Sequence, residues 1–319
     1  MLIIYYLLLL VLSIYSYSLI DLNLTMINHP LWNWFRSQII NIGYFQFLPE
    51  FLKIRKNLEG IKDLLKKNNE DVKRVDLVVF PEYFLSGPLK LDLIKDYEKE
   101  ISSNEILVSL KEISKISSKT TFIMGSFLLK QRGKYSNTSV VIKNGAVLTQ
   151  YSKKALIYEN YICESNDKIA VFKIGKIKIG LAICWDLILP EVFRKYAKKV
   201  DLVVTPSFWG IAGNALQAKY SFSLEKKYYT AIGIARAYEN SFALLFVNSV
   251  GKYKSSFYSD RMMGGSYFVN PPLGIIHKTN NKDPNTLHIV KFDRDPLNQY
   301  REYYATDKDY FYYKIKRVI

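Results

Sequence analysis

Cysteine and histidine are scarce in this chain of 319 residues, with two of the first and three of the second, and each shortage excludes something. Two cysteines, Cys163 and Cys184, cannot build a disulfide framework. Together with His29, His277 and His288 they do not offer the spacing of a Cys/His metal cluster. Acidic residues are also in short supply: 29 Asp and Glu face 45 Lys and Arg, a net charge of +16. Such an excess raises nucleic acid or an anionic lipid surface as a partner. The lysines, however, are spread along the whole length, and no aromatic-basic motif groups them. This argues against specific nucleic-acid binding and leaves a solvated basic surface that is compatible with acidic lipid. Nowhere does the composition break into two units, so one large domain is expected.

Charge is missing altogether from residues 1–20, MLIIYYLLLLVLSIYSYSLI, a run long enough to cross a bilayer as a helix. A membrane anchor is the preferred reading. The competing ones are a cleaved signal peptide, although no basic region precedes the run, and a translation start at Met26. The expected organisation is a hydrophobic segment over 1–20, a linker over 21–38 and a globular domain over 39–319. Localisation follows from it: membrane-associated if the first segment is retained, cytoplasmic otherwise.

What the chain has in abundance is aromatic and aliphatic side chains, with 25 Tyr, 18 Phe and 49% apolar residues overall. They are patterned. Residues 39–47 read as a strand, and Leu58, Ile61, Leu64 and Leu65 share one face of a helix. The strand VDLVVF at 75–80 ends in Pro81-Glu82-Tyr83. A polar helical region follows over 91–118, then a hairpin, 121–130 with 136–143, and a strand from Ala146 after the Asn144-Gly145 turn. The sequence VDLVVT at 200–205 repeats that of 75–80 almost letter for letter and ends in Pro206-Ser207-Phe208-Trp209-Gly210. A helix over 220–240 and strands at 242–247, 266–269 and 287–292 complete the pattern. The repetition predicts an α/β architecture with two sheets whose strand ends face one cleft.

Chemistry is expected where apolar strands stop. Residues 176–194, KIKIGLAICWDLILPEVFR, run from a strand into a helix-like pattern opened by Pro190, which places Cys184 on an elbow. A thiol there stands on a rigid strand end, and the positive end of a following helix would favour its thiolate. Cysteine is also a common core filler, so position alone does not make Cys184 a nucleophile. Glu82, just past the strand 75–80, and Lys153, just past the strand from Ala146, supply a base and a fixed positive charge. Each taken alone reads as a surface residue. His277 and His288 lie in strand or turn contexts with no orienting partner in view.

The set Glu82, Lys153 and Cys184 resembles the carbon–nitrogen hydrolase (nitrilase) superfamily, amidase-like branch. The resemblance covers about residues 39–310. It rests on Phe80-Pro81-Glu82 with Gly87, on Tyr151-x-Lys153-x-x-Leu156, and on Cys184-Trp185-Asp186 followed by Pro190-Glu191. It implies a four-layer αββα sandwich, two mixed sheets flanked by helices, that commonly forms homo-oligomers. The implied activity is hydrolysis of a non-peptide C–N bond in a small amide or nitrile through a thioester on Cys184, with no metal or organic cofactor. Members often carry a second active-site glutamate between the lysine and cysteine motifs; Glu164 is the preferred match and Glu159 the alternative. Pocket walls are expected from Tyr83, Trp185, Phe208 and Trp209. Two other readings stand beside this one: a membrane-associated N-acyltransferase of the same superfamily, and a membrane-tethered interaction protein that has lost the chemistry.

Overall fold

Residues 77–79 and 202–204 are wholly buried on both faces, as central parallel strands must be, and that is why both runs are unbroken aliphatic sequence. Each is the middle of a separate six-stranded mixed sheet. The computed structural model describes residues 38–157, 159–211, 222–279 and 285–304. The first sheet contains β1 (Ile39–Tyr44), β2 (Leu77–Val79), β3 (Thr121–Gln131), β4 (Lys134–Lys143), β5 (Ala146–Ser152) and β14 (His288–Asp293), in the order β14-β1-β2-β3-β4-β5. The second contains β6 (Val171–Ile174), β7 (Ile177–Leu181), β8 (Leu202–Ser207), β9 (Ala243–Asn248), β12 (Tyr267–Asn270) and β13 (Gly274–Lys278), in the order β13-β12-β9-β8-β7-β6.

The internal repeat seen in the sequence is a repeat of topology. In the first sheet β1, β2 and β3 are parallel neighbours flanked by antiparallel strands; in the second β7, β8 and β9 play the same part. Side-chain alternation then divides the core. Leu77 and Val79 point toward the second sheet and join one apolar cluster with Leu202, Val204 and Phe246, whereas Val78 points outward among helical residues. Those helices are α1 (Ile54–Lys67), α2 (Asn69–Arg74), α3 (Ile94–Glu100) and α4 (Ser103–Ser114), whose Leu58, Ile61, Val72, Tyr97, Ile106 and Leu110 cover the first sheet. On the second sheet lie α5 (Pro190–Arg194), α6 (Phe222–Asn240) and α7 (Asp295–Tyr304), contributing Phe193, Tyr229, Ala237 and Leu297. A hairpin, β10 (Val250–Lys254) with β11 (Ser259–Met263), stands outside both sheets.

This is the expected α/β arrangement of two mixed sheets with helices outside them. The apolar run 1–20 and most of the linker over 21–38 lie outside the described residues. Among the described residues no helix is long and apolar enough to cross a membrane. The region after Cys184 differs from expectation. A 3-10 turn, Cys184–Ile188, comes first, and α5, only five residues long, begins at Pro190. Its first turn therefore does not face the thiol as a helix N-terminus at an elbow would.

Candidate active site

The carboxylate of Glu82 is placed by a bulge two strands' width away in sequence but adjacent in space. β3 breaks register against β4 between Met124 and Phe127, and within that break Gly125 takes φ +37°. A Cβ at Gly125 would stand 2.0 Å from the carbonyl oxygen of Pro81, so glycine lets the Pro81-Glu82 turn lie directly on the strand. Ser126 of the same bulge accepts the Tyr83 N–H through its Oγ at 3.3 Å, and Tyr83 itself sits at φ +53°. The expected result of Gly125→Ala is a loss of stability of about 2–3 kcal/mol, because backbone meets backbone and neither can give way. Urea unfolding measures it; a variant as stable as the native chain would show that the bulge is not under this constraint.

From β2, β5 and the end of β7, three side chains meet. Lys153 Nζ donates to Glu82 Oε1 at 2.9 Å and to Glu159 Oε1 at 2.6 Å. The Cys184 thiol lies close enough to the Glu82 carboxylate for the two to perturb each other's ionisation. Glu82 is 1% exposed, Lys153 3% and Cys184 7%, so these groups interact in a low dielectric, where charge effects are large. Cys184 takes φ +45°, a left-handed conformation rarely held by a non-glycine residue, which turns its side chain off the line of β7.

Two more groups complete the cluster. Asn137 Nδ2, from the middle of β4, donates to Glu82 Oε1 at 2.9 Å and to Glu159 Oε1 at 3.4 Å. The Phe208 N–H, past the end of β8, donates to Glu82 Oε2 at 3.0 Å. Glu82 thus receives donors from both sheets and is fixed in orientation.

Burial and charge pull the ionisations in different directions. Burial raises the Glu82 carboxyl above the usual range, with the Lys153 charge opposing it. Burial would raise Glu159 as well, but the Lys153 charge and hydrogen bond, with the N–H of Ile157, hold it below the usual range. Burial works against the Lys153 ammonium, yet the two carboxylates outweigh it and keep its pKa well above the ordinary lysine value. Cys184 is pushed well above the ordinary thiol range, by burial first and then by the Glu82 charge, against the opposing pull of Lys153. The resting nucleophile candidate is therefore a neutral thiol beside a base. Where the sequence reading has an α-helix end favouring a thiolate, the structure has a 3-10 turn, and burial opposes the thiolate.

The choice between the two loop glutamates is also corrected. Glu159 begins a short 3-10 turn, Glu159–Tyr161, and is buried against Lys153. Glu164 is exposed and pairs with Lys134 on the protein surface. It is therefore the alternative, Glu159, that the structure places beside Lys153, and the preferred match, Glu164, past the end of that turn, that it leaves on the surface.

Among the expected wall residues, Tyr83 and Trp209 are buried. Trp185 and Phe208 are half-buried and remain available to line an opening. Trp185 packs on Trp209 at 5.1 Å between ring centroids, and Trp209 is fixed by its Nε1–H to Glu225 Oε1 at 2.7 Å. Phe208 stands edge-on to Tyr253 at 5.0 Å. His277 and His288 gather around Tyr44, at ring centroid distances of 6.0 and 5.3 Å, with no part in the cluster. Both cysteines are free thiols, and among the described residues no group of three or more His, Cys, Asp or Glu side chains is arranged to hold a metal ion.

Asn137 was not singled out from the sequence. Its signal was present as a polar residue inside KYSNTSVVIK, at an alternating position that the hairpin buries completely. Asn at a buried strand position is costly without partners, and here the partners are the two carboxylates.

Comparison with known proteins bears on the family and the fold. A family model described as carbon-nitrogen hydrolase matches residues 42–302. An (R)-stereoselective amidase of a Pseudomonas species is 26% identical over 245 residues, 76% of this chain and 80% of that protein. A nitrilase of Pyrococcus abyssi is 26% identical over 197 residues, 60% of this chain and 73% of that protein. The crystal structure of a carbon–nitrogen hydrolase from Helicobacter pylori G27 superposes with a TM-score of 0.74 at 20% identity, covering 88% of this chain and 99% of that one, which establishes the likeness of fold.

Proposed function

This chain belongs to the carbon–nitrogen hydrolase family, and from that premise we propose that it hydrolyses small-molecule amides through a thioester on Cys184, with nitriles as the nearest variant substrate. The observation that carries the reading is a buried cation, Lys153, held between two carboxylates, one of which, Glu82, neighbours the buried Cys184 thiol.

Glu82 takes the thiol proton as the sulfur attacks the amide carbon. Charge gathering on the carbonyl oxygen is met by Lys153 and by backbone N–H groups after the cysteine. Collapse of the tetrahedral species breaks the C–N bond, and Glu82 hands its proton to the departing ammonia or amine. It then takes a proton from water, whose oxygen attacks the thioester; the acid leaves and the thiol is restored. One carboxylate moves every proton. Its raised pKa brings it closer to that of the groups it exchanges protons with, which favours transfer in both directions.

Ammonia release from a panel of amides, ω-amides, carbamoyl compounds and nitriles tests the proposal. Release from at least one amide is expected, and a panel with no turnover would end it. The rate should fall as pH drops through the raised Glu82 pKa, since only the carboxylate form accepts the thiol proton. Glu82→Gln is expected to lower kcat by about 10²–10⁴-fold. A variant that kept the native rate and pH profile would remove Glu82 from the mechanism.

Acyl transfer to an amine instead of water is the second reading, motivated by the apolar run 1–20, which lies outside the described residues. Acylation of a supplied amine in lipid vesicles, without free acid appearing, would favour it over hydrolysis.

A further inference from the structure

Lys153 and Cys184 come from different sheets, and most of what joins the sheets is apolar packing, which has no preferred direction. A mechanism that needs an ammonium aimed at one atom needs something more directional at that seam. Asp186, two residues after the cysteine and fully buried, accepts four hydrogen bonds, one from its own segment and three across the seam. Its Oδ2 accepts the Ile183 N–H at 2.9 Å and the Tyr151 hydroxyl at 2.8 Å. Its Oδ1 accepts the N–H groups of Lys154 at 3.0 Å and Ala155 at 2.7 Å.

The partners bracket both reacting residues along the chain. Ile183 precedes Cys184, while Tyr151 lies before Lys153 and Lys154 and Ala155 follow it. We infer that Asp186 is the positioning residue that holds the Lys153 loop in register with the Cys184 elbow, acting through backbone donors and touching no reacting atom. The inference rests on the hydrolase reading above. It assigns a physical role to the aspartate of Cys184-Trp185-Asp186, a residue on which the proton transfers themselves make no demand.

Both carboxylate oxygens face donors only, so an amide in the same place must turn its own N–H₂ toward one pair of them. Asp186→Asn is expected to lower kcat at least about 100-fold with KM changed less than about threefold, because a misplacement of about 1 Å at a reacting centre costs that much. Tyr151→Phe deletes one bond without changing volume and should lower kcat about three- to tenfold. The readout that a merely structural residue would not move is the pH profile of Cys184 labelling by iodoacetamide, followed by mass spectrometry. With Lys153 less well aimed, the profile should shift to higher pH in both variants.

Asp201→Asn serves as the comparison. Asp201 is also a buried carboxylate with backbone and arginine donors, but it sits before β8, at the end opposite Phe208, and ties down Arg294 and Arg301. Loss of stability with native kcat and labelling profile is expected there. The inference is overturned if Asp186→Asn and Tyr151→Phe keep native kcat and labelling, or if Asp201→Asn loses kcat to the same extent. Should Asp186→Asn fail to fold, Tyr151→Phe decides alone. Should the native chain turn over no amide, the hydrolase reading fails, while the labelling profiles still decide for or against the positioning role.

Discussion

Cys184→Ala is expected to release no ammonia above background from any amide that the native chain hydrolyses, a loss of at least about 10⁴-fold in kcat. The size follows from the division of labour. Without the sulfur there is no thioester, and water must attack the amide directly, helped only by Lys153 and the backbone donors. The fold should survive: the substitution removes one buried atom, and the positive φ of residue 184 is borne equally by either side chain. Thermal unfolding within a few degrees of the native chain, together with lost activity, is the expected pair of results. Intact mass gives the complementary test. Exposure of the native chain to substrate should add one acyl group that maps to Cys184, and the variant should acquire none. Equal ammonia release by the two proteins would refute the covalent mechanism outright.

Lys153→Met should do damage of two kinds. The ammonium is shared by both buried carboxylates, bonding Glu82 at 2.9 Å and Glu159 at 2.6 Å. Removing one member of a buried ionic group leaves the others unpaired, and the expected loss is about 3–5 kcal/mol of stability near pH 7. The pH dependence identifies the cause. In the variant, burial and mutual repulsion raise both carboxylates above their unfolded values, so the folded state binds protons more tightly than the unfolded one. The deficit should therefore shrink as pH falls toward about 4, where protonation removes the unpaired charge, and grow as pH rises through the raised folded values. Denaturant unfolding at pH 4 and pH 7 measures both. A deficit that is the same at the two pH values would mean that packing of the lysine stem, and not its charge, is what the fold requires. Activity should be lost as well, since a methionine offers nothing to the developing oxyanion.

These two side chains were visible in the amino-acid sequence because of where they stand, each just past the end of an apolar strand. Glu82 follows a strand that is buried on both faces and so spelled out in continuous aliphatic letters; Cys184 follows one whose exposed residue is Lys178, and Lys153 follows a largely exposed strand ended by a change to polar residues. The outer helix α1 was legible for the same reason, from a stripe of Leu58, Ile61 and Leu65. Glu159 was less legible than Glu164 appeared to be. Both are acidic residues in one polar stretch, and only the 3-10 turn at 159–161 sends one inward to Lys153 and leaves the other beside Lys134. Asn137 showed only as a polar residue at an inward position of its strand, and Gly125 and Asp186 carry no periodic signal: their partners are Glu82, the Pro81 carbonyl and the loop after Lys153, 55, 44 and 31 to 32 positions away in the chain.

By itself the sequence determined the elements, their order and the α/β class, since periodicity and strand length depend on neighbours a few residues apart. It determined too that thiol, carboxylate and ammonium would stand at strand ends. Tertiary structure alone decided which way those groups point and what charge they carry. Direction came from contacts between distant segments, as when Phe208 donates to Glu82 across 126 residues. Charge came from burial, which raised Glu82 and Cys184 and left Lys153 an ammonium between two carboxylates. Neither can be read from spacing, because desolvation and hydrogen-bond geometry exist only once the two sheets have closed on each other.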